Sequence, residues 1–272
     1  MALYINTNMA SIVAQKNLAN TTMKLQASYA HLSSGLRITS AADDAAGLGI
    51  SERLRGKISA WAVAGRNTQD GISLAQTGEG ALNTVNSLLG RMRELATQAA
   101  NGTLSPTDRT TADNEFQKII AEVDRIATST EFNDINLLDG SAATSTIQVG
   151  INAGDTVDVN LSDTTSATLG INALDVTSAA NASAAISTIG TAIDTVNTAR
   201  GVFGADMNRL QSAYANTQIQ NENLSAAESR IRDVDVAAET ANLTRNTILQ
   251  QAAVSVLSQA NVQPQLALKL LG

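Results

Sequence analysis

Apolar side chains recur along most of this chain at steps of three, four and seven, the period of helices with one buried face. In the first segment they fall at Ala14, Leu18, Leu25, Tyr29, Leu32 and Leu36. Leu82, Val85, Leu89, Met92 and Leu95 carry the pattern in a second segment, and Phe116, Ile120, Val123 and Ala127 in a third. The third opens with Ser105-Pro106-Thr107-Asp108, where Ser caps, Pro takes the first helical position and Asp closes a capping-box-like arrangement. Asn101-Gly102-Thr103 makes a turn just before it, so these two helices are predicted to form a hairpin.

Between about 131 and 176 the period changes to two. Thr146-Ile147-Gln148-Val149 and Thr156-Val157-Asp158-Val159-Asn160-Leu161 alternate on either side of a Gly-containing loop, which predicts a β-hairpin. Its flanks, Gly140 to Ser145 and Ser162 to Thr168, are small and polar and read as loops. The helical period returns with Ile186, Ile189, Ile193 and Val196. It then alternates steps of four and three through Phe203, Met207, Leu210, Tyr214, Thr217, Asn221 and Leu224, the seam of a coiled coil whose polar members weaken it and help fix its register. A last segment carries Leu249, Ala253, Val256 and Ala260 before Pro264 is expected to interrupt it. The fold class is therefore mainly α: long antiparallel helices and a terminal coiled coil, with one small β-hairpin between the two helical halves.

Charge changes this picture at the ends. The net charge is −7 over 272 residues, which argues against nucleic acid as a partner. Residues 1–40 hold Lys16, Lys24 and Arg37 and no acid, and residues 236–272 hold only Glu239, Arg245 and Lys269. Ends so poor in charge and so rich in Leu, Ile, Val and Ala are not made for water. They pack on the chain's own core or are buried between copies. Two paired helices cannot cover both of their apolar surfaces, so the pattern predicts polymerisation. No apolar run reaches the length of about 18 residues needed for a membrane span. The start of the chain lacks the basic region and apolar stretch of a cleaved signal peptide, so export, if it occurs, is expected to use another route.

Chemistry is sparse. There is no Cys, and His31 is the single His, so thiolate metal sites, cysteine nucleophiles and a Ser-His pair lack material. Gly47-Leu48-Gly49-Ile50-Ser51-Glu52 lacks the third Gly and the preceding strand of a dinucleotide loop. Asp233-Val234-Asp235 with Glu239 lacks a calcium-loop glycine and is read as a helix face. His31 is expected to pack at a partly buried or interfacial position. No cofactor is implied, and the chain is read as a non-enzyme.

The first hundred residues resemble the amino-terminal region of bacterial flagellins. The strings that carry the resemblance are Ile5-Asn6-Thr7-Asn8, Leu32-Ser33-Ser34-Gly35-Leu36-Arg37-Ile38, Ala41-Ala42-Asp43-Asp44-Ala45-Ala46-Gly47, Asn67-Thr68-Gln69-Asp70-Gly71-Ile72-Ser73 and Glu79-Gly80-Ala81-Leu82. The last forty are similar to the flagellin carboxy terminus in Ser229-Arg230-Ile231-Arg232-Asp233, Ile248-Leu249-Gln250-Gln251-Ala252, Val256-Leu257-Ser258-Gln259-Ala260-Asn261 and Leu270-Leu271-Gly272.

The resemblance implies a short flagellin without large outer variable domains. Residues 1–40 with 235–272 would form an inner coiled-coil domain, and residues 41–234 an outer helical domain carrying the hairpin. It implies an extracellular filament subunit for swimming, exported through the flagellar type III apparatus, with an export chaperone, a filament cap and hook-junction proteins as partners. The rival within the same organelle is a hook–filament junction or other axial component. A helical scaffold protein is a more distant rival, disfavoured by the charge-poor ends. Self-assembly is assigned to Leu18, Leu25, Leu32, Leu249, Val256, Leu270 and Leu271, with Arg37, Asp43 and Asp44 in the connector between domains as polar candidates. Gly35 and Gly47 would supply turns or close approaches there.

Two further surfaces are implied. In flagellins that the vertebrate innate flagellin receptor detects, an Arg and a Leu on one helix and a Glu on the next form the main contact. Arg91, Leu95 and Glu115 match in type and spacing, with Arg91 and Leu95 four apart and so on one face. Sugar attachment to Ser or Thr, known in the family, would use exposed hydroxyls at Ser141, Thr144, Ser162 and Thr164.

Overall fold

The computed structural model describes residues 7–269, with side chains through residue 262. Five helices and four short strands follow in the order α1 (Met9–Ser34), α2 (Ala45–Ala100), α3 (Pro106–Ser129), β1 (Glu131–Phe132), β2 (Ile135–Asn136), β3 (Thr144–Gln148), β4 (Thr156–Asn160), α4 (Ala179–Arg232) and α5 (Val236–Lys269). The chain divides into two compact units, Met1–Gly56 with Asn223–Gly272, and Lys57–Glu222.

In the unit Lys57–Glu222 the seam of α4 meets a row of glycines on α2. Methyl groups at Gly65, Gly71 and Gly78 would stand 3.5 Å from Thr217 Oγ1, 3.3 Å from Leu210 and 2.9 Å from the Phe203 ring respectively. The pairing 65–217, 71–210 and 78–203 makes the two helices antiparallel, and the missing side chains let them close around Phe203 and Leu210. Glycine costs a helix roughly 1 kcal/mol relative to alanine, so the row is offset by the burial it permits. Leu82, Val85, Leu89 and Met92 of α2 join Phe116, Val123 and Ala127 of α3 and Ile189 and Val196 of α4 in one core. The start of α3 is capped as expected: Asp108 N–H donates to Ser105 Oγ at 3.2 Å, and Asp108 Oδ2 accepts from Ser105.

Two antiparallel strand pairs form where one was expected. The additional pair, β1–β2, has two residues per strand and turns through Asn133 and Asp134, both at positive φ. Strands this short carry no alternation to read. The predicted hairpin is β3–β4, in register Thr144↔Asn160 to Gln148↔Thr156. Asp206 of α4, its side chain nearly buried, ties the hairpin down by accepting from Asn160 N–H at 2.9 Å and Asn160 Nδ2 at 3.0 Å. The loop that follows is pinned to α3: Asp124 accepts from Ser166 N–H and Oγ, both at 2.7 Å, and Asp113 from Val176 N–H at 2.9 Å.

In the other unit α1 and α5 lie antiparallel. Contacts from Asn8 Nδ2 to the Ala260 carbonyl and between the side chains of Thr22 and Gln250 and of His31 and Glu239 set the register along them. Asn8 caps α1 by accepting from Ser11 N–H at 3.1 Å, and Gly35 ends the helix with φ +72°. Beyond it Arg37 N–H donates to the Arg232 carbonyl and Val234 N–H to the Gly35 carbonyl, forming an isolated antiparallel bridge.

Two expectations are corrected in this unit. Asp233 to Asp235 are not a helix face: the chain leaves the helix there, and Asp235 caps α5 by accepting from Ala237 and Ala238 N–H. Pro264 does not interrupt the last helix, which is continuous to Lys269. Proline lacks the N–H that would reach the Ala260 carbonyl, and Asn8 Nδ2 donates to that carbonyl instead, at 2.8 Å. Among the described residues no helix is long and apolar enough to cross a membrane.

Candidate functional site

Large exposed apolar side chains concentrate on the terminal helices. Met9, Ile12, Val13, Met23 and Tyr29 on α1 and Val236, Ile248, Leu249, Val254, Val256 and Val262 on α5 are all open to solvent. In Lys57–Glu222 only Val63, Ile135 and Ile219 are comparably exposed among the described residues. Of the residues assigned to self-assembly, Leu249 and Val256 stand 49% and 59% exposed, Leu18 and Leu32 are half-buried, and Leu25 is buried. Leu270 and Leu271 lie outside the described residues. An open groove of about 450 Å³ runs between the pair, lined from α5 by Leu249, Ala252, Ala253 and Val256 and from α1 by Ala14 with the polar Asn17, Asn20, Thr21 and Lys24. Such a surface offers apolar area and shape, the means of holding another helix.

The three connector charges have tasks inside the chain. Arg37 Nη2 donates to the Ile231 carbonyl at 2.6 Å. Asp44 Oδ1 accepts from Gly47 N–H at 2.8 Å and so caps α2, with Gly47 closely packed beneath it. Asp43 Oδ2 accepts from the N–H and hydroxyl groups of Thr39 and Ser40 at 2.9–3.1 Å. The Thr39 hydroxyl and the Ser40 and Thr39 amides hold the Asp43 carboxyl well below the usual carboxylate range. The other oxygen of Asp43 faces His31 Nε2 at 3.7 Å, and Glu239 faces His31 Nδ1 at 3.8 Å. His31 is thus mostly buried between two carboxylates, at a junction of α1, the connector and α5. Sequence reasoning missed Arg232, whose guanidinium reaches Glu52 at 2.7 Å and is largely buried. Its neighbourhood, with Glu228, Arg230, Asp233 and Asp235, is charged throughout, so nothing beyond the family string singled it out.

Arg91 and Glu115 meet as the hairpin predicts, the guanidinium donating to Oε1 of Glu115 at 2.8–2.9 Å and to Glu94 at 3.0 Å. The Glu115 and Glu94 carboxylates raise the Arg91 pKa in turn. Leu95 does not share their exposure. It is 3% accessible and belongs to the core, because a step of four turns the helix by more than a full circle and carries the side chain inward. The four candidate hydroxyls also differ. Ser141 and Thr144 are exposed and Ser162 is half-buried, but Thr164 is 0% accessible, its N–H bonded to the Leu138 carbonyl between β2 and β3. Thr164 is therefore closed to attachment in the folded chain. Among the described residues no cluster of three or more His, Asp or Glu side chains could hold a metal ion.

The comparisons with known proteins agree along the whole length. Residues 5–143 match the family model for the bacterial flagellin N-terminal helical region, and residues 186–271 that for the bacterial flagellin C-terminal helical region. A flagellin of Halalkalibacterium halodurans is 44% identical across 99% of this chain and 100% of its own. A flagellin of Bacillus subtilis is 42% identical across 98% of this chain and 99% of its own. Among solved structures, the crystal structure of Bacillus cereus flagellin shares 39% identity with a TM-score of 0.52, covering 60% of this chain and 94% of that one.

Proposed function

The chain belongs to the bacterial flagellin family, and from that premise we propose how its own residues make it a subunit of the flagellar filament. The family is structural, and its members form the extracellular filament that drives swimming. The observation that carries the proposal is the concentration of exposed apolar side chains on α1 and α5. Burying one Val or Leu is worth roughly 1.5–3 kcal/mol, so a homopolymer that covers Leu249, Val256 and their neighbours removes the largest uncovered cost in the chain. Residues 1–40 with 235–272 would be the inner domain of that polymer and residues 41–234 the outer one. Arg37, Asp43 and Asp44, already occupied within the subunit, would set the connector between them. The hook–filament junction reading is not carried forward, since the relatives matched end to end are flagellins.

Seeded polymerisation tests this, with full-length protein set beside chains lacking residues 1–40 or 236–272. Filaments from the intact chain and folded, soluble monomers from both truncations are the expected outcome. Polymerisation of either truncated chain would remove the terminal helices from the interface and end the proposal.

Export is assigned to the flagellar type III route without a cleaved signal peptide, with an export chaperone, the filament cap and hook-junction proteins as partners. The same reading extends to the vertebrate innate flagellin receptor. Arg91 and Glu115 would face the receptor as an ion pair, with Leu95 supporting the helix from beneath. A receptor reporter cell silent towards soluble monomer would refute it. Sugar attachment is assigned to Ser141 and Thr144, whose hydroxyls are open, and an intact mass of native filament equal to the bare chain would dismiss it.

A further inference from the structure

Asn101-Gly102 is the chain's single Asn-Gly pair, and it occupies the exposed turn between the end of α2 at Ala100 and the start of α3 at Pro106. The main chain of the turn is held firmly. The Asn101 carbonyl accepts from Leu104 N–H at 3.2 Å and from Arg109 Nη2 at 3.0 Å, while Arg109 Nε donates to the Ala99 carbonyl at 2.9 Å. The reactive groups are left free by contrast. Among the described residues Gly102 N–H finds no acceptor and Asn101 Nδ2 donates to nothing. The one bond on the Asn101 side chain is from Thr103 N–H to Oδ1, at 3.2 Å. A donor on that oxygen draws electron density from Cγ and stabilises charge that develops there.

We propose that Asn101 is a self-modification site, converting to aspartate and isoaspartate by ring closure onto Gly102. The Gly102 nitrogen gives up its proton to hydroxide and attacks Cγ of Asn101. A Cγ–N bond forms, the Cγ–Nδ2 bond breaks, and Nδ2 takes a proton from water and leaves as ammonia. The cyclic imide is then opened by water, which every side of this exposed turn admits. Opening at Cγ gives aspartate. Opening at the backbone carbonyl gives isoaspartate, with the main chain rerouted through Cγ and one methylene longer. No oxidant or enzyme is required, only water.

Aspartate puts a carboxylate where the neutral side-chain amide stood, on the open face that Asn101 shares with Arg93 and Glu94. Isoaspartate instead turns the main-chain carbonyl that Arg109 grips into a free carboxylate. The conversion accumulates with the age of the folded chain, whatever that chain assembles into.

The test incubates intact, folded protein in heavy-oxygen water at neutral and mildly alkaline pH and maps its peptides by mass. Expected are heavy oxygen incorporated at Asn101, isoaspartate as the larger product, and a rate that rises with pH. Gly102→Ala separates chemistry from folding, because an added Cβ at Gly102 meets nothing within 4 Å. It should slow conversion by roughly an order of magnitude while the thermal unfolding midpoint stays put, since a side chain at that position crowds the ring-closing approach. Urea-unfolded protein supplies the second comparison. A folded chain that converts more than about tenfold slower than the unfolded one, a barrier higher by about 1.4 kcal/mol, would mean that the turn protects Asn101. That result, or absence of heavy oxygen at position 101, overturns the proposal.

Discussion

Residues 57–222 and the terminal helices are built from the same small aliphatic side chains at the same helical period, yet they present opposite surfaces. In the first region α2, α3, α4 and the β3–β4 hairpin supply enough layers to enclose Phe116, Phe203, Leu89 and Met92 completely. In the second, α1 and α5 pair with each other, and among the described residues their buried apolar side chains are Ala14, Leu25 and Ala260, with Ile38 in the connector. A helical period says that a face is apolar. It does not say how many neighbours arrive to cover it, and a pair of helices leaves half of each seam in water. One region spends its apolar surface on its own stability, and the other keeps it for another chain.

Substitutions on the two sides should therefore fail differently. The largest loss is expected from Phe203→Ala, which opens a cavity against Gly78 and should cost about 3–5 kcal/mol in thermal or urea unfolding. Polymerisation should fall only as far as folding does. Next is Val256→Asp on α5. Unfolding of the monomer should change by less than about 0.5 kcal/mol. The critical concentration for polymerisation should rise about a hundredfold or more, because an unpaired carboxylate is taken out of water at the interface. Equal damage to monomer and polymer from Val256→Asp would erase the contrast between the regions.

A smaller effect sharpens the comparison at the chain ends. Asn8→Ala removes both the cap of α1 and the donor to the Ala260 carbonyl, at a cost of about 1–3 kcal/mol to the terminal pair. In a Pro264→Ala background the helix supplies its own donor to that carbonyl, so the same change should cost about 1 kcal/mol, the cap alone. Hydrogen exchange of α1 amides reads both. Equal penalties in the two backgrounds would show that Asn8 and Pro264 act independently.

Much of this is legible in the sequence alone. Leu82, Val85, Leu89, Met92 and Leu95 recur at three and four, and all are buried. Phe116, Ile120, Val123 and Ala127 behave likewise. The capping box at Ser105 needed no tertiary information because its partners lie within one turn. What escaped depended on distant chain. Gly65, Gly71 and Gly78 look like helix weaknesses until α4 is laid against them. The break at Asp233 is made by a bridge to Leu36, almost two hundred residues away in sequence, and locally only the cap residue Asp235 marks it. Leu95 and Thr164 fit their assigned surfaces by spacing and polarity, but the edge of a helix face and the underside of a loop are fixed by packing. Arg91 and Glu115 were paired correctly because a hairpin brings them together by its own geometry.

The Asn8–Ala260 and Ser11–Asn261 bonds join positions 252 and 250 residues apart, and this orders events in time. Closing so long a loop in an unfolded chain costs on the order of 5 kcal/mol in entropy before any contact is made. The α2–α3 hairpin closes across a few residues and pays almost none of it, so it should form early and α1 against α5 last. Each newly made subunit then passes through an interval in which its middle is folded and its two ends are still single helices or coil. During that interval a neighbour's terminal helix competes on equal terms with the chain's own, and the last step of folding becomes the first step of joining.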